Sequence, residues 1–258
     1  MSLSQKHKEN IIETIKVCLR DKFLKYKPET ENMPFHYRLL GKDRMALYSF
    51  LQSLNTTFGT SIYEPVAKEL AKPNFKEVNT QYDLGKTITS EAQNEIQKIL
   101  NDLSVGKDVN KPNEIERIRK VSQKGVENKL KSVKVDLFLI SKLDEVFMFD
   151  LKTVKPNIGD FKSYKRNLLE WIAVYFHQFP EAKVNTLISI PYNPYEPEPY
   201  NRWTMKGMLD LKNEVMVADE FWNFLAGEGT YNDLLDCFEK AGIELRPEID
   251  DYFSRFNK

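Results

Sequence analysis

Apolar and polar positions change period along the chain, and each change predicts a different element. Over residues 5–26, Ile11, Ile12, Ile15, Val17, Leu19, Phe23 and Leu24 recur among charges at helical spacing, and Pro28 ends the run. Residues 43–58 and 61–71 carry the same signature. So does "ITSEAQNEIQKILNDL" over 88–103, where Ser90 is a candidate cap and Ile88, Ala92, Ile96, Ile99, Leu100 and Leu103 form one stripe. Residues 105–130 are polar and basic without a period, which predicts a loop holding a short helix or strand.

The period then drops to two. Across 133–140, Val133, Val135, Leu137 and Leu139 alternate with Lys134, Asp136, Phe138 and Ile140, and a second run occupies 146–152. The intervening "SKLDE" suits a hairpin loop of four or five residues. Helical spacing returns over 161–179, followed by a strand pattern at 184–191. Strand, helix, strand at this spacing predicts a right-handed crossover that sets 184–191 parallel to 146–152. The proline-rich "PYNPYEPEPYNRW" at 191–203 cannot be regular structure. Residues 219–256 read as helix, interrupted at 227–230 and over 242–247. The fold class is therefore α/β, a central mixed sheet flanked by helices, with additional N- and C-terminal helices. A single domain is expected over 1–258. It has a helical region at about 1–105, an α/β core at about 88–192 and an acidic helical region at about 205–258.

Composition adds bounds. Apolar residues make up 41% and aromatic residues 12% of 258 positions, enough for a sizeable core. No apolar run approaches a membrane span and the first residues lack the apolar centre of a signal peptide. Cys18 and Cys237 stand far apart, which fits a reducing cytoplasm better than a disulfide or zinc framework. Lys plus Arg and Asp plus Glu balance at 38 each, but unevenly. Residues 107–134 hold nine basic against four acidic residues; residues 207–258 hold five against twelve. A basic middle predicts a surface for a polyanion, and the acidic C-terminal region is expected to face away from it and to serve dimerisation or core closure. Two ordinary solvated faces are the competing reading.

Three charges interrupt the apolar strand patterns: Asp136, Asp150 and Lys152. Residues two apart in a strand share a face, so Asp150 and Lys152 point the same way. A five-residue loop sets Asp136 opposite Asp150; a four-residue loop displaces it by one. Carboxylates that close repel, and a divalent cation removes the repulsion. Few hard oxygen ligands, with water completing the shell, suit Mg²⁺. Lys152 is suited to orient or deprotonate a water and to offset charge on a phosphorane-like transition state. Together these are the parts for metal-assisted phosphodiester hydrolysis. The Asp/Glu-x-Lys triplet alone is weak, since the chain has five, at Glu127, Asp150, Asp160, Glu181 and Asp210. Only the one at Asp150 lies in an apolar strand pattern with another strand aspartate just before it. A structural ion pair between Asp150 and Lys152 at a strand end is the alternative.

The order Asp136, then Asp150-Leu151-Lys152, then helix and strand resembles the PD-(D/E)xK nuclease superfamily, with Val135 where that signature has proline. "DLKTVKPNIGDFKSYKRNLLEW", "YNPYEPEPYNRWTMKGMLD" and "EFWNFLAGEGTYNDLLDCFEKAGIELR" are similar to the TdeIII-type family of type II restriction endonucleases, over most of the chain from 133 onward. The resemblance implies Asp136 and Asp150 as Mg²⁺ ligands and Lys152 as the catalytic lysine. It also implies a further acidic ligand from the first core helix, with Glu91 favoured and Glu95, one turn on, the alternative. It implies double-stranded DNA with a short palindromic site of the GGNCC type as substrate. A homodimer would match the two-fold site, and a DNA methyltransferase would be the functional companion.

Lys155 and Asn157 follow the catalytic strand, and Lys162, Lys165 and Arg166 open the next helix. All are expected near DNA phosphates, a solubilising helix face being the alternative for the last three. Arg202 and Lys206 follow the proline-rich loop, and Arg202 suits a guanine edge. Trp203 is expected in the core. His7, His36 and His177 have no metal spacing. The rival functions are a repair or recombination nuclease on the same core and a catalytically silent DNA-binding or scaffolding protein.

Overall fold

The computed structural model describes residues 3–28, 33–152, 160–201 and 205–256. Strand β1 (Glu77–Asp83) is followed by a short antiparallel pair, β2 (Thr87–Thr89) and β3 (Glu127–Lys129), in a sheet of their own. Strands β4 (Lys134–Ile140), β5 (Glu145–Leu151), β6 (Lys183–Ile190) and β7 (Val215–Val217) join β1 in a five-stranded sheet of order β1-β4-β5-β6-β7. β1, β4 and β5 are antiparallel neighbours, whereas β5, β6 and β7 run parallel. The sheet is thus mixed, as expected. The period-two stretch is its β4–β5 hairpin, and the crossover between β5 and β6 is helical.

That crossover helix and two others belong to the same unit as the sheet. In chain order the helices are α1 (Gln5–Lys25), α2 (Pro34–Leu40), α3 (Lys42–Phe58), α4 (Glu64–Ala71), α5 (Ser90–Ser104), α6 (Lys111–Arg119), α7 (Phe161–Gln178), α8 (Asp219–Ala226) and α9 (Thr230–Ser254). The chain divides into two compact units, one of Met1–Leu70 with Trp222–Lys258 and one of Ala71–Phe221.

In the sheet unit, α5 and α6 pack against α7, and the Ile96, Ile99, Leu100 and Leu103 stripe of α5 is buried. Each such side chain contributes about 1.5–3 kcal/mol relative to an exposed one. Thr89, not Ser90, caps α5: its hydroxyl accepts from the Ala92 N–H at 3.2 Å. Ser90 instead accepts from the Val126 N–H at 3.0 Å and so ties the helix start to the segment entering β3. The polar 105–130 stretch holds both a helix, α6, and a strand, β3.

In the helical unit, α1 and α9 lie along each other. Phe23 stacks on Tyr252, Phe50 packs against the same ring, and the Tyr252 hydroxyl donates to the Tyr26 carbonyl at 2.9 Å. The acidic residues of α9 meet the basic residues of α1: Asp233 with Lys8, Glu244 with Lys16 at 3.0 Å, Glu248 with Arg20 at 2.7 Å. The expected break over 242–247 is absent, because α9 continues through Gly242 and Pro247. A proline inside a helix costs about 3 kcal/mol. Ala241, Leu245 and Tyr252, buried on both sides of it, offset that cost. No helix among the described residues is long and apolar enough to cross a membrane.

Candidate active site

The β4–β5 register resolves the loop question. Leu137 faces Phe149 and Ile140 faces Val146, which leaves a five-residue loop. Continued by one position, this register sets Asp136 opposite Asp150. The hydrogen-bonded ladder is replaced there by a side chain: the Leu151 N–H donates to Asp136 Oδ2 at 2.9 Å. On the other flank of β4, Gln81 lies between the paired positions Thr80↔Leu137 and Tyr82↔Val135, and so faces Asp136. Gln81 has φ 51°, a left-handed backbone uncommon for glutamine, and its amide donates to Asp136 Oδ1 at 3.2 Å.

Asp150 is buried in the middle of the sheet, 5% exposed. Its Oδ1 lies 2.8 Å from Lys152 Nζ. Lys152 leaves β5 with its N–H donating to the Ser189 carbonyl of β6 at 2.9 Å, and its ammonium sits 4.5 Å from the ring centre of Tyr164 on α7. Burial, and next the charge of Asp150, push the Asp136 carboxyl up to about 6; the Leu151 N–H and Lys152 pull the other way and do not prevail. The pair thus carries more negative charge than Lys152 alone offsets.

A cavity of about 430 Å³ opens over the pair. Asp136, Asp150 and Lys152 line it together with Asn167, Glu170 and Trp171 of α7 and the segment 130–134. Sequence reasoning missed the α7 residues, although 164, 167 and 171 recur at helical spacing and define one face. Burial raises the Glu170 carboxyl, while Arg166 lowers it.

Several expected site residues lie elsewhere. Glu91 is exposed at the start of α5, beside Gly125, and Glu95 is held by Arg117 at 2.6 Å. Among the described residues no third acidic, His or Cys side chain completes a metal-holding group with Asp136 and Asp150, so Glu91 is not brought to the site. Lys162 is exposed and donates to Ser104 Oγ at 3.0 Å; Arg166 donates to Gln97 at 2.8 Å. Lys206 is exposed. Lys155, Asn157, Arg202 and Trp203 lie outside the described residues.

Lys165 corrects the expectation most sharply. It is wholly buried, 2.6 Å from Glu114 Oε2 and 2.7 Å from Glu214 Oε2. Glu214 also takes Lys111 at 2.6 Å, and Lys111 donates to Thr186 Oγ1 at 2.6 Å. Two lysines and two glutamates thereby join α6, α7, β6 and the turn before β7, out of reach of DNA phosphates. Burial opposes ionisation of Glu214, but Lys111 and Lys165 together hold its carboxyl below the usual range. A lysine on the first turns of an amphipathic helix reads as a surface residue; only the distant Glu214 reveals otherwise.

The family model of the type II restriction endonuclease HinfI matches residues 3–242. The type II restriction enzyme MjaII of Methanocaldococcus jannaschii is 30% identical over 289 aligned positions, spanning 100% of this chain and 75% of its own. The type II restriction enzymes HgiCII and HgiEI of Herpetosiphon aurantiacus are each 24% identical. Their alignments cover 84% of this chain and 80% and 79% of theirs.

Proposed function

This chain belongs to the HinfI family of type II restriction endonucleases, and from that premise we propose that it hydrolyses double-stranded DNA at a short palindromic site with Mg²⁺ as cofactor. The type II assignment agrees with the resemblance drawn from the sequence, under the HinfI family name. The observation that carries the reading is the opposed pair Asp136 and Asp150 with Lys152 at 2.8 Å, under an open cavity.

The donor set fits a hard divalent cation. Two carboxylates are available, with an excess of negative charge and without soft ligands, and Mg²⁺ is commonly held by one or two carboxylates plus phosphate and water. Asp136 and Asp150 would hold it; bound there, the ion would supply charge against the scissile phosphate and a more acidic water. The chain's own residues do the positioning. The Leu151 N–H and the Gln81 amide fix the Asp136 carboxylate. Asp150 and the Tyr164 ring hold the Lys152 ammonium where it can donate to a phosphate oxygen or to the attacking water and offset charge in the transition state.

A GGNCC-type site, a homodimer matching its two-fold symmetry, a companion methyltransferase and a cytoplasmic location complete the proposal. The test is digestion of plasmid DNA by the purified chain with Mg²⁺ or with chelator. Discrete fragments that vanish with chelator are expected. Structure-selective nicking would instead indicate a repair nuclease, and no cleavage by a folded, duplex-binding chain would indicate a silent core.

A further inference from the structure

Among the described residues, three of the four cations expected to meet DNA are engaged: Lys165 is buried among glutamates, Lys162 bonds Ser104 and Arg166 bonds Gln97. The cavity over Asp136 and Asp150 nevertheless has two other lysines in its lining, Lys131 and Lys134. Both are exposed, and neither ammonium makes a hydrogen bond or ion pair with a described residue. Lys134 stands two residues before Asp136 on β4, hence on the same side of the strand. The nearest acid along the ladder is Asp83, its partner in register. Asp83 accepts from Ser132 Oγ at 2.6 Å and from the Gly85 N–H at 3.0 Å, and Lys134 attracts it through space without forming an ion pair with it.

The segment carrying these lysines is held by its backbone. The Leu130 N–H donates to the Lys86 carbonyl at 2.7 Å, the Val133 N–H to the Gly85 carbonyl at 3.2 Å, and the Leu84 N–H to the Val133 carbonyl at 2.9 Å. Residues 130–134 therefore form a fixed lip beside the carboxylate pair, and its exposed side-chain charges are positive. A polyanion whose reacting phosphate reaches Asp136 and Asp150 passes this lip. Fixed backbone lowers the entropy lost when the ammonium groups are engaged.

We propose that Lys131 and Lys134 form a phosphate-binding lip that contacts two backbone phosphates of the DNA strand next to the one being cut. The proposal rests on the nuclease reading above and assigns the basic middle of the sequence its role. These contacts carry no base information; they set register and contribute to affinity for any duplex.

The experiment is fluorescence anisotropy of the full chain with a labelled duplex across a range of salt, without divalent cation so that nothing is cut. Removing one phosphate-neutralising cation lowers the slope of log affinity against log salt by about 0.9. K131A/K134A is expected to flatten the slope by about two units and to weaken cognate and random duplex alike. K131R/K134R is expected to keep the slope. Lys142 sits at the other end of the same hairpin, exposed, and K142A is expected to leave the slope unchanged. A wild-type slope retained in K131A/K134A overturns the lip. Equal flattening by K142A overturns it too, since the effect would then be general surface charge. If the wild-type chain binds no duplex, the nuclease reading itself fails and the lip with it.

Discussion

Two charged clusters sit in the sheet unit and meet opposite ends. In one, Lys111, Lys165, Glu114 and Glu214 are sealed from solvent, and two basic side chains face two acidic ones within 2.7 Å. In the other, Asp136 and Asp150 have Lys152 between them, and burial first, then the charge of Asp150, push Asp136 up to about 6 against the pull of Lys152. Burial alone does not mark a functional site, since the more deeply buried cluster is the self-sufficient one. What marks the site is a carboxylate pair with one lysine against it beside open space, an arrangement that a cation and a phosphate together can complete.

Substitutions separate the clusters by what they remove. Asp136→Ala or Asp150→Ala is expected to lower cleavage at least about 10⁴-fold, roughly 5.4 kcal/mol of transition-state stabilisation. Each relieves the repulsion between the carboxylates but strands the Leu151 N–H or the Lys152 ammonium, so the thermal midpoint should fall less than on breaking the Glu214 network; a plasmid assay beside a melting curve checks both. Glu214→Gln leaves buried lysines undercompensated and is expected to cost about 3–5 kcal/mol of stability. Activity per folded molecule should be retained, as read from denaturant unfolding and active-fraction titration. Replacing Glu214 and Lys111 together by Leu and Met should be milder than Glu214→Gln if a balanced network is what matters. A double variant worse than the single one would contradict the contrast.

Lys152→Ala is expected to slow cleavage about 10²-fold, some 2.7 kcal/mol, with duplex binding kept, because affinity comes from phosphate contacts elsewhere. Single-turnover cleavage and anisotropy on one preparation decide it. The smallest effect is on pH dependence. Native Asp136 holds its proton more tightly than the unfolded chain, so in cation-free protein its contribution is full below the ordinary aspartate range and is lost as pH rises to about 6. Native Glu214 holds its proton less tightly, so its contribution is present above the ordinary glutamate range and is lost as pH falls through it. Melting curves of Asp136→Asn should lack the first dependence, and those of Glu214→Gln the second.

The cleft cluster is legible in the sequence because its geometry is local. Alternation fixes the shared face of Asp150 and Lys152, and a short loop brings Asp136 opposite. β1 is only faintly legible: in "EVNTQYD" Val78, Thr80 and Tyr82 alternate with Glu77, Asn79, Gln81 and Asp83, but two apolar residues in seven are a weak signal, and none of the seven is fully buried, as suits an edge strand. For the same reason nothing in the sequence points to Gln81, whose approach to Asp136 depends on a pairing between residues far apart in the chain. Glu170, Lys131 and Lys134 reach the cavity only through the packing of α7 and the backbone bonds of residues 130–134. Lys165 reads as a surface cation because its partners lie 51 and 49 residues away, and sequence spacing is blind to them. Pro247 reads as a helix end, since local propensity there opposes the packing of α9 along α1.

That packing sets an order of assembly during synthesis. The helical unit needs α1, made before the sheet unit, and α9, made after it. While the ribosome builds β1 to β7, α1 has no α9 to cover Phe23 or to neutralise Lys8, Lys16 and Arg20. The sheet unit, continuous in sequence, has all its parts earlier. Until α9 emerges, α1 therefore lacks the partner that stacks Tyr252 on Phe23 and pairs with Lys8, Lys16 and Arg20, which leaves that face of the helix open to chaperones.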